Sequence, residues 1–153
     1  MNLNDIYKII SDGIRNGEKL ETYIDLVSLY NGDDWEQYTN DIEMNPGIKY
    51  FKIHIYSNEL IDMYIIIWPV NSVSGTHAHS EEGCILKMLD GEMEETIYTQ
   101  SLQMVKTTQI STDEVSFITN DIGYHNMKNI SDDISVSLHI YSPGGYDTVY
   151  FDT

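Results

Sequence analysis

The spacing of apolar residues changes once along this chain. Leu3, Ile6, Ile9, Ile10 and Ile14 recur at the three-to-four-residue interval of a helix buried on one side. Asn2 or Asn4 is placed to cap its start. A second helical stretch puts Leu20, Ile24, Val27 and Tyr30 on one face and ends near Asn31-Gly32, and Trp35 and Tyr38 fall in a third, short one. Asn45-Pro46-Gly47 is a turn signal. Beyond it the interval shortens to two. Residues 50–56, 63–68, 75–79, 84–89, 92–98, 115–118, 125–130, 134–141 and 146–151 read as strands. Asp90-Gly91, between two of them, is the dipeptide of a tight hairpin. Many short strands joined by tight turns predict a mainly β structure, a sandwich or small barrel, behind an N-terminal helical segment. The expected division is helices over 1–45, packed on a barrel over 46–153, within one domain.

Composition narrows the partners. A chain of 153 residues with 41% hydrophobic content can bury one core. Its formal net charge of -17 repels polyphosphate, so nucleic acid is not an expected partner. Met1 to Asp5 lacks the basic and apolar regions of a signal peptide, and the longest apolar run, Met63 to Val70, is too short to span a bilayer. Cys84 is the only cysteine, so no intrachain disulfide can form. Together these features predict a cytoplasmic monomer without membrane contact.

The candidate chemistry is concentrated in histidines. Three of the five fall in one pattern, His77-Ala78-His79 and His125. In an extended segment, residues i and i+2 share a face, so two imidazoles can grip one metal ion and His125 can close a three-nitrogen face from another strand. Imidazole suits iron, zinc, copper and nickel. Ser137-Leu138-His139-Ile140-Tyr141 is a second constellation: alternation puts serine, histidine and tyrosine on one strand face, where they form either an outward polar face or a hydrogen-bond relay that orients the phenol. Ser142-Pro143 then ends the strand, with a cis bond possible there.

These residues, with Cys84-Ile-Leu-Lys-Met-Leu-Asp-Gly91 and Val136-Ser-Leu-His-Ile-Tyr-Ser-Pro143, resemble the cysteine dioxygenase type I family of the cupin superfamily. Similarity extends across Trp68 to Pro143, and Trp35 and Tyr38 fit the family's N-terminal helices. The resemblance implies a cupin β-barrel or jelly roll. It implies Fe(II) on His77, His79 and His125, replaceable by zinc or nickel in purified protein, and oxidation of L-cysteine by O₂ to cysteine sulfinic acid. Most cupins add a glutamate after the histidine pair, but Gly83 and Cys84 occupy that region here, and Glu81 and Glu82 read as solvated loop charges. Cys84 and Tyr141 match a pair that forms a thioether in some members, with Ser137 and His139 behind the tyrosine. Tyr50 matches an active-site tyrosine preceding the substrate-binding arginine. That arginine is absent: Lys52 stands there, His54 shares its face, and the only arginine is Arg15. Lysine supplies charge without a planar two-point grip. The chain also ends at Thr153, before the C-terminal segment of longer members, which implies a less covered site. Two other readings remain: a dioxygenase for another small thiol such as 3-mercaptopropionate, and a non-catalytic metal-binding cupin acting as sensor or scaffold.

Overall fold

The change of spacing in the sequence is a change of layer in the structure. A computed structural model describes residues 1–40 and 49–153; the expected Asn45-Pro46-Gly47 turn and the boundary at 45/46 lie outside them. Helix α1 (Leu3–Arg15) starts at a reciprocal cap: the Asn2 side chain accepts from the Asp5 backbone at 2.8 Å, and Asp5 accepts from the Asn2 backbone at 2.9 Å. Leu3, Ile6 and Ile10 are buried, whereas Ile9 is 43% exposed. At about 100° per residue Ile9 lies well off the stripe through the other three. The second helical stretch is a 3₁₀ turn (Leu20–Tyr23) running into the short helix α2 (Ile24–Ser28), and Trp35 and Tyr38 lie on another 3₁₀ turn (Asp34–Tyr38). None of the described helices is long and apolar enough to cross a membrane.

Ten strands follow among the described residues: β1 (Phe51–Ser57), β2 (Asp62–Trp68), β3 (Thr76–His77), β4 (Gly83–Asp90), β5 (Glu92–Tyr98), β6 (Met104–Ser111), β7 (Val115–Ile118), β8 (Tyr124–Asn129), β9 (Ser135–Ser142) and β10 (Tyr150–Phe151). They form two five-stranded sheets, ordered β1-β2-β9-β4-β7 and β10-β3-β8-β5-β6, with antiparallel pairing throughout. The molecule is thus mainly β, as its apolar spacing predicts. The first sheet is covered on both faces. Met63, Ile65, Ile67, Leu138 and Ile140 pack with the helical residues Leu3, Ile6, Ile10, Leu20 and Val27. Ile66, Trp68, Leu86 and Met88 pack with Met93, Ile110 and Met127 from the second sheet. Burial on both sides explains the unbroken Ile65-Ile66-Ile67 run, which a half-exposed strand would interrupt with polar residues.

Four elements differ from expectation. Strand β6 was not legible: its residues Met104 to Gln109 are exposed at a sheet edge, so no apolar alternation marks it. β3 and β10 are two residues long rather than five or six. Asp90-Gly91 is not a hairpin turn, because β4 and β5 belong to different sheets. Gly91 has φ +96°, and a Cβ there would sit 2.2 Å from Ser135 Oγ, so glycine lets the chain cross tightly from one sheet to the other over the start of β9.

One buried lysine fastens the helices to the sheet. Lys87 on β4 is 1% exposed, and its Nζ donates to the Ser28 carbonyl at 2.6 Å, at the C-terminal end of α2. Lys87→Ala removes this charge-assisted bond and the packed stem, so urea unfolding is expected to show a loss of about 2–4 kcal/mol. An unchanged urea midpoint would mean that the helical layer is held without it.

Candidate metal centre and adjoining cavity

The two sheets bring the three histidines together. His77 on β3 is the register partner of His125 on β8, and His79 follows two residues after His77. All three are buried, and their ligating nitrogens lie within 4.8 Å of one another. His125 Nε2 is 2.9 Å from His79 Nε2 and 3.1 Å from His77 Nε2. Two metal–nitrogen bonds of about 2.1 Å meeting at a right angle separate their nitrogens by about 3.0 Å, so this spacing fits adjacent corners of an octahedral ion. No carboxylate joins the group among the described residues. Glu81 lies exposed in the turn before β4, with Glu82 partly buried beside it.

The rings are aimed by neighbours. His77 Nδ1 donates to the Gly75 carbonyl at 2.7 Å, and His125 Nδ1 donates to Glu95 at 2.7 Å. Each bond places the ring proton on Nδ1 and leaves the Nε2 lone pair free for a metal. Glu95, on β5 and 4% exposed, also accepts from Ser116 at 2.9 Å. Burial alone would raise its pKa; the hydrogen bond and charge of His125, then Ser116, hold it below the usual carboxylate range. His79 is fixed through its backbone instead: Asn120 accepts from its N–H at 2.9 Å and donates to its carbonyl at 3.0 Å. Its buried Nδ1 has no hydrogen-bond partner. Burial, then the neighbouring His125, pushes His77 down to about 3 and His79 well below its usual range. Both rings are therefore neutral at physiological pH, the state that binds metal.

Ser137, His139 and Tyr141 point inward from β9, which excludes the outward polar face left open by their spacing. Trp68 Nε1 donates to Ser137 Oγ at 2.9 Å, Ser137 Oγ lies 2.7 Å from His139 Nε2, and His139 Nδ1 lies 3.5 Å from the Tyr141 hydroxyl. The indole can only donate, so the serine has its own hydrogen to give to His139 Nε2. Nδ1–H then faces the tyrosine oxygen, and the Tyr141 hydrogen is left to point elsewhere. Cys84 on β4 is the direct register partner of Tyr141, and the two lie in one buried cluster. Burial pushes the Cys84 thiol up to about 12 and Tyr141 well above the usual phenol range.

A cavity of about 320 Å³, its open mouth included, adjoins these groups; its walls include Tyr50, Lys52, Trp68, His77, His139, Tyr141, Thr148 and Tyr150. Lys52 Nζ sits 4.3 Å above the Tyr64 ring and 5.2 Å from the Tyr141 ring and makes no salt bridge among the described residues. Burial lowers its pKa, against the opposing pull of Cys84 and Asp62. His54 is elsewhere: it bonds Asp62 at 2.9 Å and stacks on Tyr64, outside the cavity wall. Sequence reasoning missed Trp68, Glu95, Asn120 and Tyr150. Only Glu95 left a signal, as an acidic residue inside an alternating strand, and three glutamates within four residues concealed it.

The chain is similar to known proteins over most of its length. Human cysteine dioxygenase type 1 is 28% identical over 165 residues, covering 97% of this chain and 77% of its own length. The bovine protein of that name is 32% identical over 114 residues, covering 65% of this chain and 56% of its own. Among solved structures, a Klebsiella pneumoniae protein with a double-stranded β-helix domain aligns with TM-score 0.64 at 10% identity, over 82% of this chain and 95% of that one. A Bacillus halodurans protein aligns with TM-score 0.62 at 12% identity, over 78% and 84% respectively. At such identities these structures speak to the fold alone. The family model for cysteine dioxygenase type I matches residues 11–152, and the chain belongs to that family.

Proposed function

We propose that this protein oxidises L-cysteine with O₂ to cysteine sulfinic acid at an Fe(II) ion held by His77, His79 and His125. The observation that carries the reading is a buried three-histidine cluster, one of whose members, His77, lines a cavity that also holds a lysine without a salt bridge among the described residues. Bound iron would supply the electron exchange with O₂ and lower the thiol's pKa. The protein's own part is placement. Lys52 draws the substrate carboxylate to its part of the cavity wall, which Tyr50 also lines. The relay from Trp68 through Ser137 and His139 orients Tyr141, whose hydroxyl hydrogen is available to the reacting end of the substrate. Both oxygen atoms of O₂ end on the sulfur, one step on the thiol oxidation ladder.

Oxygen uptake by iron-loaded protein with cysteine, 3-mercaptopropionate and cysteamine tests the reading. Cysteine is expected to turn over fastest, with a product carrying two added oxygen atoms. Faster turnover of 3-mercaptopropionate would reassign the substrate, and uptake with no thiol would leave the non-catalytic metal-binding reading.

A covalent thioether between Cys84 Sγ and a Tyr141 ring carbon belongs to the same proposal. The two residues face each other across β4 and β9. Bond formation removes one hydrogen from sulfur and one from the ring, both taken by O₂. The closed loop makes the denatured chain more compact. Protein kept with iron, O₂ and thiol is expected to show a faster denaturing-gel band that Cys84→Ser and Tyr141→Phe both abolish. One band at the unmodified mass after many turnovers would rule the bond out and leave the dioxygenase intact.

A further inference from the structure

The C-terminal strand reaches the mouth of the cavity. β10 pairs with β3, with Tyr150 opposite His77, and the Tyr150 ring lies 5.8 Å from the His77 imidazole. Its hydroxyl is 3.4 Å from that of Tyr50, which enters from the other sheet immediately before β1. The two phenols thus meet on the wall of the cavity that His77 and Lys52 also line. Phe151 stacked on Tyr124 at 4.5 Å and Thr153 bonded to Thr76 at 2.8 Å hold the strand in place.

Counting donors gives this contact a role. In a pair of hydroxyls one donates to the other, which leaves one hydrogen to offer outward. Among the described residues neither phenol donates to a carbonyl or carboxylate. A carboxylate has two oxygens that accept and none that donates. Lys52 meets it as a point charge and fixes no plane. A substrate held between His77 and Lys52 therefore needs a second donor for its carboxylate, and the tyrosine pair, with Tyr50 two residues before Lys52 and both rings on the cavity wall, offers one.

We infer that Tyr150, through its hydroxyl contact with Tyr50, supplies the second hydrogen bond to the substrate carboxylate and makes the site selective for short thiols that carry one. The inference rests on the reading of this cavity as a thiol site. It assigns Tyr150 a binding role that a mere wall would not have: its hydroxyl should matter only for ligands with a carboxylate.

Cysteine and cysteamine differ by that group alone. Cobalt(II)-loaded protein, titrated with each thiol in the absence of O₂, reports affinity through the metal–thiolate absorption band. Tyr150→Phe keeps the ring and removes the hydroxyl. It is expected to weaken cysteine about tenfold, as loss of one hydrogen bond to a charged acceptor does, and to leave cysteamine unchanged. Tyr50→Phe should cost cysteine less than Tyr150→Phe, because it removes the group that orients the Tyr150 hydroxyl and leaves its hydrogen in place, and the double variant should lose less than the two single losses combined, because the hydroxyls act as a pair. Equal weakening of both thiols, or no weakening of cysteine, would overturn the inference, as would a wild-type protein that shows no thiolate band. If wild-type protein shows the band and the selective loss yet consumes no O₂ when iron-loaded, the dioxygenase reading fails and the carboxylate role of Tyr150 stands.

Discussion

Removal of the His125 imidazole is expected to cost more metal affinity than any other single change in this protein. His125 stands 2.9 and 3.1 Å from the other two ligating nitrogens. His77 and His79 belong to one short segment, whereas His125 reaches them from β8, so its loss leaves a two-nitrogen site open to solvent on one side. Glu95→Gln is the informative comparison. It keeps the size of the side chain and weakens the bond that aims His125, and outer partners of this kind usually change affinity by about 10–100-fold. His125→Ala should exceed that, with a loss of more than about 100-fold. Zinc competition titrations would measure both, with thermal unfolding as a control, because Glu95 loses its buried partner in the alanine variant. Unchanged stoichiometry and affinity in His125→Ala would remove it from the ligand set.

The ligands were legible in the sequence and their supports were not, for a physical reason. A ligand set needs rare residue types at constrained spacing, and three of five histidines in one pattern stand out. A support needs only one hydrogen bond in the right place, which many residue types can provide. The Gly75 carbonyl aims His77 with a backbone atom that every residue has. Asn120 clamps His79 across 41 positions of sequence. Trp68 reads as a core aromatic at a strand end, and its indole N–H becomes meaningful only once β2 is registered beside β9, with Ile66 opposite Ser137.

The fold divides along similar lines. Strands with a buried face announce themselves: Glu92–Tyr98 and Val115–Ile118 begin and end where their alternation does. β6 has almost no buried face and left no trace. Asp90-Gly91 misleads because a glycine at positive φ reports a tight reversal and says nothing of which sheet receives the next strand. The inward aim of Ser137, His139 and Tyr141 could not be chosen from alternation either. It follows from the helical layer, which takes Leu138 and Ile140 for itself and leaves the polar set to face the second sheet.

Lys52 carries the other large expected effect. It gives the cavity one positive point near the Tyr64 and Tyr141 rings, with no salt bridge among the described residues. In a protein of net charge -17, that cation offsets the repulsion an anionic substrate meets on approach. A charge-assisted bond to a carboxylate is worth about 1.5–3 kcal/mol, so Lys52→Ala should raise KM for cysteine about 10–100-fold. Lys52→Arg restores a planar two-point donor and should preserve or lower KM. The pH dependence separates charge from packing. Burial lowers the lysine pKa, so the cation is lost on the alkaline side sooner than that of an ordinary lysine. KM of the wild-type protein should therefore rise with alkaline pH, and the rise should be absent from Lys52→Arg, whose guanidinium stays charged. Titration of the substrate thiol and amine is common to both proteins and cancels in their ratio. If Lys52→Ala leaves KM for cysteine unchanged, the carboxylate is held elsewhere. Tyr50 on the cavity wall is then the first group to replace, ahead of His54, whose ring is already engaged by Asp62 and Tyr64.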